Sequence, residues 1–189
     1  MAKPVQRNKD RKREEIQRAF ADSINQSGYD GVTVRQIARR ASVSVGLVYH
    51  YYPSGKPSIA AAIYQEGFRR TIIPYAFDSD PGKIEEMIRA HLDNHREHIR
   101  LYRAFDQALL TNQEVWGGVK ADRRQLLEGF ARESGYPLDG IDAWLTAYAV
   151  VDAIIHRHLT IDRVCDSDAE LVRLIKTVYT AILADKHPR

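Results

Sequence analysis

Four side chains able to hold a metal ion or move a proton fall at helical spacing. His91 and His95 lie four residues apart, and so do Asp152 and His156. On a helix, positions i and i+4 share one face. The first pair belongs to the stripe of Ile84 and Ile88, the second to that of Leu145 and Leu159, so both are expected to face inward. Facing each other, they would offer three imidazoles and a carboxylate, enough for a divalent metal. The competing reading is plainer: buried histidines that only hydrogen-bond, Asp152 paired with Arg157 or a histidine, and His98 and His158 in solvent. Spacing alone does not say whether the two helices adjoin. No HExxH, Gly-rich phosphate loop or Gly-x-Ser-x-Gly turn accompanies them, and no nucleophile has an orienting partner. A metal-dependent, all-helical hydrolase built on these four residues is therefore an alternative without a motif, and the chain is expected not to be an enzyme.

The elements that must position these groups are helices throughout. Apolar residues recur every three to four positions and no run alternates apolar with polar. A first helix is expected from near Asp10 to Gly28, with Ile16, Ala19, Phe20 and Ile24 on its inner face. Thr33 is the predicted N-cap of a short second helix, and a third follows the break at Ser42-Val43-Ser44 and runs to about Tyr52. A fourth begins after the loop Pro53-Ser54-Gly55-Lys56 and ends near Ile73, before Pro74. Asp80 is the expected cap of the next stretch, with Pro81 in its first turn. Asn112 and Gly117-Gly118 are expected to interrupt the pattern before a helix over 119–134, and further helices are expected over 142–159 and after the capping signature Ser167–Glu170.

Residues 34–52, VRQIARRASVSVGLVYHYY, are the most informative stretch. Two helices of about two turns, joined by a tight turn, pack at a steep angle only if particular positions are apolar or small. Ile37, Ala38, Ala41, Val43, Val48 and Tyr51 occupy those positions. A plain helical hairpin inside a bundle would not carry Arg35, Arg39, Arg40 and His50 on so short a pair. The pattern is that of a helix-turn-helix, whose second helix enters the DNA major groove while the first braces it.

The run GVTVRQIARRASVSVGLVYHYYPSGK, with the preceding RKREEIQRAFADSINQSGYDG, resembles the DNA-binding domain of TetR-family transcriptional regulators over residues 9–69. Beyond that segment only length and helical layout agree with the family. The resemblance implies that Ser44, Val45, Gly46 and Leu47 begin the recognition helix, with Gly46 allowing close approach to the groove floor and Ser44 capping the helix or reaching the DNA. It implies that Tyr49 and His50 meet the backbone or flanking bases, that Thr33 and Arg35 hold phosphates, and that Lys56 contacts phosphate from the start of the fourth helix. Tyr51 and Tyr52 match aromatic positions that pack the small domain. Three positions depart from the family pattern. Ser42 stands where glycine is common, so a left-handed backbone there would cost roughly 1 kcal/mol. Gly55 lengthens the loop before Lys56, and Pro57 replaces an acidic residue.

Charge agrees with this division. Residues 1–56 hold 11 Lys/Arg against 5 Asp/Glu, whereas residues 57–189 hold 17 against 20. A basic head on a mildly acidic body suits contact with a polyanion. The basic residues Lys3, Arg7, Lys9, Arg11, Lys12 and Arg13 are expected to track DNA phosphate or to lie in solvent. At 189 residues and a mean hydropathy of −0.43, the chain reads as globular, without a spanning helix or signal peptide. Its single cysteine, Cys165, excludes an internal disulfide and fits a reducing cytoplasm.

Residues 75–189 lack nucleic-acid features. The helix DAWLTAYAVVDAIIHRHL is apolar almost all round, and the last helix carries Leu171, Leu174, Ile175, Val178 and Ile182 on one stripe. These two helices are expected to make half of an intersubunit four-helix bundle, as the resemblance also implies. Phe68, Tyr102, Phe105, Trp116, Phe130, Trp144 and Tyr148 are candidate lining for a small-molecule effector pocket, although aromatic side chains of this kind also simply pack. The expected molecule is all-α: an N-terminal three-helix helix-turn-helix domain (9–69) joined through a fourth helix to a larger effector-binding and dimerisation domain (75–189). Its expected role is that of a ligand-responsive regulator, most simply a repressor, binding a palindromic double-stranded DNA operator as a dimer and acting away from membranes. An architectural DNA-binding protein without an effector is the other alternative.

Overall fold

A computed structural model describes residues 4–186, with side chains from 8 to 184. Lys3 and the side chain of Arg7, both in the basic N-terminal run, lie outside the described residues. Among the described residues the chain is all-helical, with nine α-helices: α1 Pro4–Ser27, α2 Val34–Arg40, α3 Val45–Tyr51, α4 Lys56–Thr71, α5 Pro81–Glu97, α6 Ile99–Thr111, α7 Gln113–Ser134, α8 Ile141–Thr160 and α9 Asp168–Lys186. Short 3-10 turns at Ile73–Tyr75 and Leu138–Gly140 precede α5 and α8.

Local chemistry explains most of the boundaries. Asp80 caps α5 as expected, its carboxylate accepting from the backbone N–H of Gly82 and Lys83 at 2.9 Å each, with Pro81 in the first turn. At the end of α7, Gly135 has φ +74 and the Tyr136 N–H donates to the Ala131 carbonyl at 2.9 Å. That left-handed residue with a six-to-one hydrogen bond closes the helix. At the start of α9 the Glu170 N–H donates to Ser167 Oγ at 3.3 Å, and the Glu170 carboxylate accepts from the Asp166 N–H at 3.2 Å, one residue upstream of a reciprocal box.

Three boundaries differ from the sequence expectation. α1 begins at Pro4, ahead of Asp10. The stretch after Asp80 divides at His98, whose φ of −113° and ψ of 24° end α5. Asn112 does interrupt the pattern, between α6 and α7, and its side chain accepts from the Val115 N–H at 3.2 Å, so α7 starts there and not at Val119. α7 then passes through Gly117-Gly118 without a break. Each glycine costs about 1 kcal/mol relative to alanine in a helix, and burial of Val119 together with partial burial of Val115 and Trp116 offsets it.

The chain forms two compact units. The first comprises the chain up to Glu66 together with Arg100–Val119, and the second comprises Gly67–Ile99 with the chain from Lys120 onward. The core of the first gathers Ile16, Phe20 and Ile24 of α1 with Ile37, Val48, Tyr52 and Ile59. Tyr64 extends it, stacked on Phe105 at 3.9 Å and edge-on to Tyr102 at 5.6 Å. In the second unit α5, α8 and α9 pack against one another, around Met87, Ile88, Trp144, Tyr148, Ile175 and Tyr179. Among the described residues no helix is long and apolar enough to cross a membrane.

Candidate nucleic-acid interface

The first unit holds the short helix pair as its sequence demands. Thr33 caps α2 through a capping box: its hydroxyl accepts from the Gln36 N–H at 3.3 Å, while the Gln36 side chain accepts from the Thr33 N–H at 2.7 Å. Ile37 and Ala38 are buried and Val43 is half-buried at the turn. Ser42 has φ 53, the left-handed conformation expected where glycine is common. The Val43 N–H then donates to the Ala38 carbonyl at 3.0 Å, which closes α2.

Ser44 caps α3 by accepting from the Leu47 N–H at 3.1 Å. Val48 is the buried anchor of α3, fully enclosed. Tyr52, which follows α3, ties it to α1: its hydroxyl accepts from Gln17 Nε2 at 3.0 Å and donates to the Arg13 carbonyl at 3.3 Å. Burial of that ring pushes the Tyr52 phenol up, against the opposing effect of the Gln17 contact.

Held this way, α3 presents Ser44, Val45, Gly46, Tyr49 and His50 to the exterior, with Leu47 half-buried between them. Val45 is 37% and Tyr49 47% exposed, large apolar surfaces on a helix of only seven residues. A Cβ placed on Gly46 would meet only Ser44 Oγ, at 3.9 Å, so nothing within the described fold requires glycine there. Thr33 and Arg35 are exposed beside this surface, and Arg39 and Arg40 add charge at the end of α2. Arg40 is engaged internally, donating to Gln26 Oε1 at 3.0 Å and Ser23 Oγ at 3.2 Å.

Lys56 is half-buried at the start of α4, and its ammonium donates to the Tyr29 carbonyl at 2.8 Å. It also lies 4.2 Å from the centre of the Tyr29 ring. Burial pushes the Lys56 ammonium down, with Asp30 opposing the effect.

The seven aromatic candidates for an effector pocket fall into two groups. Tyr102, Phe105 and Trp116 belong to the first unit, with Phe105 and Trp116 edge-on at 6.2 Å. Phe68, Trp144 and Tyr148 meet in the second, where Trp144 and Tyr148 stack at 6.0 Å and Phe68 stands edge-on to Tyr148 at 4.9 Å. Phe130 joins them through Phe77, 6.1 Å away. Arg123 had no sequence signal marking it, yet its guanidinium is buried 4.7 Å from the Phe68 ring and 4.9 Å from that of Tyr148.

The inward histidines do meet the carboxylate. His91 and His95 are buried on α5, and Asp152 comes from α8. His91 Nε2 lies 2.9 Å and His95 Nε2 3.5 Å from Asp152 Oδ1. His156 stands further off, its ring 6.2 Å from that of His95. Burial, then the neighbouring His91, pushes the His95 imidazole down to about 3. Burial pushes the Asp152 carboxyl up, but the His91 contact outweighs it and holds the group below its ordinary value. His158 is buried too, its Nδ1 accepting from the Val164 N–H at 3.1 Å, where the plainer sequence reading placed it in solvent.

Comparison with known proteins follows the same division. Residues 18–63 match the family model for bacterial regulatory proteins of the tetR family. No curated protein matches the chain at a significant level. Solved structures match over nearly the whole length. A TetR-family transcriptional regulator from Streptomyces coelicolor is 20% identical, with 93% of this chain and 99% of that one covered and a TM-score of 0.58. A TetR-like transcriptional regulator from Rhodococcus sp. RHA1 is 19% identical, with 92% and 96% covered and a TM-score of 0.54. A TetR family transcription regulator from Marinobacter aquaeolei VT8 is 16% identical, with 94% and 97% covered and a TM-score of 0.53. Residues 18–63 thus match the DNA-binding domain of the tetR family, and the chain as a whole has the fold of the TetR-family transcriptional regulators it resembles.

Proposed function

We propose that this protein is a ligand-responsive repressor that binds a palindromic DNA operator as a homodimer. The observation carrying this reading is the outward face of α3. Val45, Gly46 and Tyr49 are exposed on a helix anchored by Val48, and Gly46 has no packing reason to lack a side chain. A bare backbone flanked by an exposed valine and tyrosine suits entry into the major groove, with thymine methyl groups and phosphate oxygens as partners. Ser44, Leu47 and His50 flank that contact. Thr33, Arg35 and Lys56 are assigned to phosphates, with Thr33 acting through the exposed N-terminus of α2 because its hydroxyl also serves the capping box.

Dimerisation is assigned to α8 and α9. The apolar stripe of α9 divides between inside and outside. Leu171 and Ile175 are buried in the second unit, Val178 and Ile182 are half-buried, and Leu174 remains 39% exposed. On α8, Ala149 and Ala153 leave a small-residue surface that permits close helix approach. A two-fold pair would present two copies of α3 to the two halves of an operator. The effector is assigned to the aromatic groups around Phe68, Phe130, Trp144 and Tyr148 and around Tyr102, Phe105 and Trp116. α4, whose residues divide between the two units, is the natural carrier of the response. An effector can release DNA only if it binds the two states of the protein with different affinity. A reducing cytoplasm is the setting this role requires.

Gel-shift binding to DNA upstream of the protein's own gene tests the reading. Tyr49→Ala is expected to weaken binding by 10-fold or more, an alanine-scan loss of about 1.4 kcal/mol. Binding unchanged in that variant would overturn the docking of α3. A protein that bends or coats DNA without sequence preference would bind competitor DNA equally well.

A further inference from the structure

Beyond DNA binding, and independent of it, the second unit contains a largely buried constellation of metal-ligating side chains. Among the described residues, His91, His95 and Asp152 place one ligand atom each within 4.8 Å of one another. Two of them sit one helical turn apart on α5, and the third comes from α8, 57 to 61 residues away in sequence.

The outer nitrogens of the two rings each face an oxygen atom. His95 Nδ1 lies 3.2 Å from the His91 carbonyl oxygen. A carbonyl only accepts, so Nδ1 carries the proton and Nε2 keeps its lone pair. For His91 the neighbour is Thr71, whose hydroxyl donates its one proton to the Gly67 carbonyl at 2.9 Å. The Thr71 oxygen, 3.4 Å from His91 Nδ1, is thus able to accept from that ring nitrogen in the tautomer that leaves Nε2 open to a metal ion. Both Nε2 atoms then converge with a carboxylate oxygen, at 2.9 Å for His91 and 3.5 Å for His95.

Two imidazole nitrogens and a carboxylate oxygen at this separation can share one cation. A second proton on His91 would answer its own contact with Asp152. It would leave the His95 lone pair against the same oxygen. A single cation answers both contacts at once. In a tetrahedral site with bonds of about 2.0–2.1 Å, neighbouring ligand atoms lie about 3.3 Å apart, and the two nitrogens stand 2.9 and 3.5 Å from Asp152 Oδ1, on either side of that value. The outer shell has the form that metal-bound histidines require, with each remote ring nitrogen facing an oxygen able to accept from it. Asp152 is also supported, because the Tyr148 hydroxyl lies 3.4 Å from Oδ1, with Arg123 at 3.4 Å from that hydroxyl.

We propose that His91, His95 and Asp152 form a binding site for one divalent first-row transition-metal ion, bridging α5 and α8. Two imidazoles and one carboxylate make a borderline nitrogen-and-oxygen set, which favours Zn²⁺, Co²⁺, Ni²⁺ and Cu²⁺ over Mg²⁺ and Ca²⁺. Thr71 is a positioning residue that orients the His91 ring. Because the ligands come from two helices, the ion binds the folded unit in preference to the unfolded chain and stabilises it.

The test uses the untagged full-length protein, stripped with a chelator and titrated with Co²⁺ and then Zn²⁺. The expected result is about one tightly held ion per chain, a visible Co²⁺ absorption band that Zn²⁺ abolishes, and a higher melting temperature with Zn²⁺. His95→Gln and Asp152→Asn are expected to remove the band. Thr71→Val keeps side-chain size and touches no ligand atom, and it is expected to weaken the metal 10- to 100-fold. Should the ligand variants fail to fold, the wild-type titration and Thr71→Val decide. Absence of a saturable Co²⁺ band in wild type, or a band that survives His95→Gln and Asp152→Asn, would overturn the site. Operator binding measured on the same samples reads the DNA-binding role separately.

Discussion

The Lys56 ammonium donates to the Tyr29 carbonyl at 2.8 Å and rests on the Tyr29 ring, joining the loop after α1 to the first turn of α4. Lys56 therefore has a structural task besides any contact with phosphate. Lys56→Ala is expected to lower stability by about 1–2 kcal/mol, the worth of a charge-assisted hydrogen bond, as measured by urea unfolding. Arg35, exposed at the start of α2, should behave differently. Arg35→Ala is expected to leave the urea midpoint unchanged, to weaken DNA binding across all sequences, and to reduce the salt slope by about 1. A stable Lys56→Ala protein, or an Arg35→Ala protein with an unaltered salt slope, would contradict these assignments.

Gly46 separates stability from recognition. A methyl group there meets only Ser44 Oγ, at 3.9 Å, and alanine is favoured over glycine in a helix by up to about 1 kcal/mol. Gly46→Ala is expected to raise the melting temperature while weakening operator binding, because the added methyl occupies the surface presented to the groove floor. Thermal unfolding and gel shift on one preparation read both effects. Tighter DNA binding would refute the close approach.

Backbone strain in the helix pair predicts opposite effects at two positions. Ser42 is left-handed with φ 53, so Ser42→Gly relieves a cost of roughly 1 kcal/mol, less the greater freedom of glycine in the unfolded chain. A net gain of up to about 1 kcal/mol is expected. Gly55 has φ +66, and a Cβ there would lie 3.1 Å from Val34 Cγ2. Gly55→Ala is therefore expected to cost about 1–3 kcal/mol through strain and crowding. Denaturant midpoints compare the two directly, and a loss of stability in Ser42→Gly would speak against the strain.

Leu174 probes the proposed dimer. At 39% exposure it contributes little to the core of its own unit, so Leu174→Glu is expected to leave the helical signal intact while converting dimer to monomer. Light scattering after gel filtration measures the mass. An unchanged dimer would move the interface away from this part of α9.

The amino-acid sequence by itself determined the helical class, most boundaries and the helix-turn-helix. Each of these rests on interactions within a few residues: the Thr33 and Asp80 caps, the left-handed turns at Ser42 and Gly135, and the buried positions Ile37, Ala38 and Val48. Local chemistry of this kind leaves a signature at fixed spacing. Burial overrides that signature at Gly117-Gly118, where the helix continues through both glycines, because the compensating contacts of Val115, Trp116 and Val119 depend on a core assembled from distant segments.

The inward face of His91 and His95 could likewise be read from their spacing, but their meeting with Asp152 could not. Nor could the turn of Lys56 towards Tyr29, the place of Thr71 behind His91, or the division of seven aromatic residues between two units. Those relations join residues 20 to 61 positions apart. Periodicity gives the direction in which a side chain leaves its helix. Only the packing of one helix on another chooses what it meets.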